Sequence, residues 1–127
     1  MNDENYLSHC IGLLEDFARS CAQRTETLAD DDPLKQLAGS FSALAQSRED
    51  IYGRGSELSQ VLFNNFPDMA PLLPRQLLWF FGGDCLHFMP DEEISQFQQL
   101  DEEREQAAAE GNVYDLAEAR AKLLNLQ

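Results

Sequence analysis

Residues 6–28 read YLSHCIGLLEDFARSCAQRTETL, and the spacing of their apolar side chains decides the fold class. Leu7, Cys10, Leu14, Phe17, Cys21 and Leu28 recur at intervals of three and four, or seven at the end, and Ile11 and Ala18 widen the stripe. That period matches 3.6 residues per turn and predicts a long amphipathic helix with one packed face. Arg24 interrupts the seam near its end, which argues for one buried face rather than an extended coiled coil. Asp30-Asp31-Asp32 stops the pattern, and Asp32-Pro33 starts a second helix. An aspartate can accept from the free amides of a first turn, and proline is tolerated at the first helical position.

The second stripe repeats the spacing through Leu34, Leu37, Ala38, Phe41, Leu44 and Ala45 to Ile51 or Tyr52. Two such helices joined by a short acidic turn predict an antiparallel hairpin. Gly53-Arg54-Gly55 is expected to end that unit, with a shorter helix from Ser56 through Val61, Leu62 and Phe63 to Pro67. Pro67, Pro71 and Pro74 punctuate the middle, and Pro74 opens a helix over Gln76 to Phe81 that Gly82-Gly83 either end or use for a close crossing. Pro90-Asp91-Glu92-Glu93 starts another, past Ile94, Phe97 and Leu100 to Ala109. Beyond a break at Gly111-Asn112, a last helix carries Leu116, Ala119, Leu123 and Leu126. Small residues surround that break, between Ala107 and Leu124, but no 34-residue period recurs, so the chain is not read as a helical repeat. β-branched alternation is absent. The expected fold is all-α, a compact bundle of five to six helices forming a single domain over residues 1–127.

Composition bounds the function classes. The chain has 127 residues, 43% of them hydrophobic, and a net charge of -14 from 23 acids and nine bases. That apolar fraction supports a packed core and argues against disorder. The charge argues against direct binding to nucleic-acid phosphates or an anionic membrane surface. Most of it sits at the two ends: residues 1–32 carry -6 and residues 91–127 carry -7, while residues 61–90 carry -1. An acidic N-terminus without an apolar run is not a secretory signal, and the stretch Leu72–Met89 is broken by Pro74, Arg75 and Asp84. Cys10, Cys21 and Cys85 are odd in number and lack CxxC spacing, which predicts reduced thiols in a cytoplasmic protein. On one helix, Cys10 and Cys21 lie roughly 16 Å apart, too far to bridge.

Leu77, Leu78, Trp79, Phe80 and Phe81 cover every side of a helix and need cover all round, from this chain or from a second subunit of a homodimer. Either they are core, or part of the segment is an apolar groove with acidic rims. The groove reading nominates Leu78, Trp79, Phe80, Phe88 and Met89 as partner-binding residues. It suits a protein partner that offers a basic or amphipathic helix. Asp84, Cys85 and His87 bring a carboxylate, a thiol and an imidazole within four residues, and His9 or Cys10 could complete a metal site with them. Paired ligand spacing is missing, however. Cys85 and His87, two residues apart, also diverge on a helix, which weakens a thiol–base pair. Gly82-Gly83 lacks the residues of a phosphate loop, and Asp101-Glu102-Glu103-Glu105 lacks the pattern of a calcium loop. No catalytic residue, cofactor or resident metal is therefore assigned. The sequence leads to a non-enzymatic interaction module: an adaptor, regulator or chaperone-like binder. A nucleic-acid-mimicking inhibitor of a DNA- or RNA-binding protein is the alternative, and a metal-assisted enzyme at Asp84, Cys85 and His87 ranks below both.

Overall fold

α1 runs from Asp3 to Thr25 and places the first apolar stripe as the spacing requires. Cys10, Leu14, Phe17 and Cys21 are all 3% exposed or less. The computed structural model describes residues 3–109, and the order continues with α2 (Pro33–Ser47), α3 (Ile51–Asn65), a 3₁₀ turn (Ala70–Leu72), α4 (Arg75–Phe81), a 3₁₀ segment (Gly83–Phe88) and α5 (Asp91–Ala109). The described residues contain no strand, and the fold is all-α. The helix expected around Leu116 to Leu126 lies outside the described residues. The chain divides into two compact units, residues 10–88 and residues 1–9 with 89–127.

In the first unit the seam of α1 ends on Thr25, which is buried and donates from Oγ1 to the carbonyl of Cys21 at 2.8 Å. Thr25 lies four residues past Cys21, so Arg24 falls beside the seam and stays exposed. Leu28, expected on the seam, sits past the helix end in the turn. There Lys35 Nζ donates to the carbonyls of Glu26 and Leu28 at 3.3 and 3.0 Å and pairs with Asp30 at 3.2 Å, so a lysine caps the acidic turn. Asp32 accepts from the Leu34 amide at 2.9 Å with Pro33 following, as the sequence predicts. Leu37, Ala38, Phe41, Leu44 and Ala45 form the buried stripe of α2. The Phe17 and Phe41 rings meet edge to face at 5.0 Å, a pairing worth about 0.5–1.5 kcal/mol beyond its area.

The boundary between α2 and α3 corrects the sequence reading. Gly53 and Gly55 do not end a helix; both lie inside α3. The break comes earlier, where Arg48 and Asp50 adopt left-handed φ values of 57° and 49°. The glycines serve packing instead. A Cβ at Gly55 would fall on the ring of Phe81, so the missing side chain lets the end of α4 lie against α3. Ser59, one turn on, is fully buried and donates to the Gly55 carbonyl at 2.7 Å, which satisfies its hydroxyl within the helix. α3 is the helix against which α2, α4 and the Gly83–Phe88 segment pack. α1 meets α2 through side chains, and the closest backbone packing of the unit runs through α3 rather than through an opening α1–α2 pair. Gly82 and Gly83, at φ 66° and 54°, end α4 and turn the chain back over α3.

The second unit is organised by α5. Phe97, Leu100 and Arg104 share one face at spacings of three and four, and all are buried. The Arg104 guanidinium lies 4.4 Å from the centre of the Tyr6 ring and 3.8 Å from Asp101, while Glu102, Glu103 and Glu105 face solvent. Stacking on Tyr6 compensates the burial of a guanidinium, a cation that is more weakly hydrated than an ammonium.

Two alanine substitutions in helix interiors are expected to act in opposite directions. Gly39→Ala, where nothing lies within 4 Å of the added Cβ, should raise stability by about 0.5–1 kcal/mol through helix propensity. Gly55→Ala should lower it by about 1–3 kcal/mol, because Phe81 must leave its place. Urea unfolding followed by circular dichroism checks both; equal effects at the two sites would rule out the packing role assigned to Gly55.

Candidate functional site

The apolar run of α4 is core. Leu77 and Leu78 are fully buried, Phe80 is 8% exposed and Phe81 4%, and Gln76 is buried with them. Of the five residues nominated for partner binding, Leu78, Phe80 and Met89 are therefore buried and offer no surface, while Trp79 and Phe88 are half-buried. Phe88 stacks on Phe63 at 4.5 Å. Four of the five apolar residues of the run are covered within this chain, and Trp79 keeps part of its surface open.

The Asp84, Cys85 and His87 triplet is not brought together. In the 3₁₀ segment, with three residues per turn, positions i and i+3 eclipse. Asp84 and His87 accordingly share an exposed side with Oδ1 and Nε2 3.9 Å apart. Cys85 points the other way, fully buried, with Sγ 3.9 Å from the Ser56 carbonyl. Among the described residues no three His, Cys, Asp or Glu side chains gather in a way that could hold a metal ion, and neither His9 nor Cys10 supplies the missing ligand. No described helix is long and apolar enough to cross a membrane.

The surface feature that sequence reasoning missed is Tyr52. It is 53% exposed, the most exposed large hydrophobic side chain among the described residues. Its ring packs on Phe80 at 5.0 Å, and Phe80 in turn touches Phe81 at 5.7 Å. Tyr52 is thus the end of an aromatic row that begins in the core and reaches solvent. A cleft of about 400 Å³ opens beside it, lined by Ser56, Glu57 and Gln60 of α3, by Phe81 and by Asp84. Gly53 and Gly83 complete the lining with bare backbone. Gln60 Nε2 donates to Ser56 Oγ at 3.3 Å across one turn. The signal was present in the sequence. Once α3 is started at Ile51, Tyr52, Ser56 and Gln60 fall on one face, where a lone aromatic among polar residues stands out.

Over residues 3–127 the chain matches the model of the family described as PA2817-like, a description that names no activity. No curated protein and no solved structure matches it.

The three cysteines are buried and not joined in disulfides. Burial pushes the Cys21 thiol from 9.0 up to about 11 against the opposing pull of the Arg24 charge. Burial also raises Cys85, hydrogen bonds with Ser56 and Ser59 act against the rise, and the Asp84 carboxylate adds to it. Both are protonated thiols at neutral pH, the opposite of an activated nucleophile. A thiol whose pKa is higher in the folded chain stabilises the fold fully below its unfolded value and loses that contribution as pH rises through the folded value. Stability should therefore decline between pH 9 and 11. In Cys21→Ala, compared with its own neutral baseline, the decline should be shallower. Denaturant midpoints across that window check it, and parallel slopes in the two proteins would contradict the assignment.

Proposed function

We propose that this chain, which belongs to the PA2817-like family, works as a small acidic protein-interaction module rather than as an enzyme. The observation that carries this reading is the exposure of Tyr52 at the end of a buried aromatic row, beside a cleft with acidic residues on its wall. An aromatic ring held by packing at its back gives contact area at low entropic cost, a property of residues that dominate interfaces. Two of the residues nominated from sequence, Trp79 and Phe88, remain partly accessible, and the site proposed is recentred from α4 onto Tyr52. The partner class retained is a protein that presents a basic or amphipathic helix. A reducing, cytoplasmic setting suits three cysteines that form no disulfide. A second copy of the chain is the competing occupant of the same surface.

A photo-crosslinking phenylalanine analogue introduced at position 52 in living cells tests the reading. The expected result is a discrete adduct with one other protein, absent when the analogue replaces exposed Glu26 in the acidic turn. An adduct of twice the chain mass would assign the surface to a homodimer. No adduct at position 52 from a folded, well-expressed protein would remove Tyr52 from any interface.

A further inference from the structure

The cleft beside Tyr52 combines two kinds of surface. Tyr52 supplies aromatic area, with the buried Phe81 at the wall, and Glu57 and Asp84 supply carboxylates that face solvent. No lysine, arginine or histidine lines it, and among the described residues the one basic group that reaches its carboxylates is His87 outside the lining, with Nε2 3.9 Å from Asp84 Oδ1. A ligand that satisfies both surfaces has an apolar or planar body and a positive charge. The groove between α1 and α2 differs in this respect. Its two guanidiniums already face carboxylates of the same chain, Arg19 with Asp16 at 2.9 Å and Arg48 with Glu15 at 4.0 Å.

We infer that the Tyr52 cleft is a receptor for an arginine side chain presented by a protein partner, which rests on the interaction-module reading and names its chemistry. The guanidinium is planar and weakly hydrated. It stacks on an aromatic face while its edge donates to carboxylates, whereas a lysine ammonium keeps its water and offers a point charge. Tyr52 provides the face and is held from behind by Phe80. Glu57 and Asp84 provide acceptors on two different elements, α3 and the Gly83–Phe88 segment. Bare backbone at Gly83 keeps the approach open, since nothing lies within 4 Å of a Cβ placed there.

The test is a titration of the ¹⁵N-labelled full chain with N-acetyl-arginine methylamide, and with the citrulline analogue, which keeps the shape and loses the charge. Arginine should shift the amides of Gly53, Ser56 and Gly83 saturably, with citrulline binding at least about threefold more weakly. Glu57→Gln and Asp84→Asn should each weaken arginine binding about two- to fivefold, as expected of exposed charge pairs. Tyr52→Phe should preserve binding and Tyr52→Ala should reduce it, with the remainder of each spectrum unchanged as proof of folding. Equal binding of arginine and citrulline, or shifts confined to other residues, overturns the inference. A crosslinked partner at position 52 combined with equal binding leaves the interaction module standing without its cation pocket. Arginine selectivity without any adduct at position 52 upholds the pocket and overturns the module.

Discussion

The approach of Phe81 to the backbone of α3 at Gly55 is the constraint on which residues 10–88 depend. A side chain at that position would occupy the space of the ring. With the space open, α4 lies on α3, and a seven-residue helix too short to be stable alone is held by packing. Gly82 and Gly83 then reverse the chain in conformations that other residues rarely adopt, and Cys85 returns to α3 beside Ser56. Phe80, next to Phe81 on the same helix, is buried against Tyr52, so the surface feature adjoins the core contact.

Charge is organised by exclusion. Acids outnumber bases by 14, and nearly all described carboxylates remain in water. The buried cation, Arg104, is the exception. It is held over Tyr6 and beside Asp101, in surroundings that the sequence presents only as a run of acids. At the α1–α2 turn the conflict between clustered aspartates is eased by Lys35, which also takes up the Glu26 and Leu28 carbonyls of the turn itself. At the cleft beside Tyr52 the wall carries Glu57 and Asp84 and no base, and His87 outside the wall places Nε2 3.9 Å from Asp84 Oδ1.

Much of the architecture was legible from residue spacing. The stripes of α1 and α2, the Asp32 cap, the start of α4 next to Pro74 and the acidic first turn of α5 all follow from local rules, because each concerns contacts within a turn or two of chain. The site was less legible. Leu78 and Phe80 read equally well as groove or core, since a continuous apolar run states only that it needs cover and not who provides it. Asp84, Cys85 and His87 are neighbours in sequence but divide between the two sides of a 3₁₀ segment, because three residues per turn send the middle side chain inward.

The amino-acid sequence by itself determined the helical class, the buried stripes of α1 and α2 and the distribution of charge, all properties of local period and composition. Tertiary structure alone decided that two glycines sit inside α3 while Arg48 and Asp50 bear the left-handed turn between helices. Helix propensity disfavours glycine by only about 1 kcal/mol, less than the packing gained when Phe81 and its neighbours bury against Gly55. A local rule therefore yields wherever a long-range contact outweighs it, and Tyr52 surfaces beside its cleft for that reason.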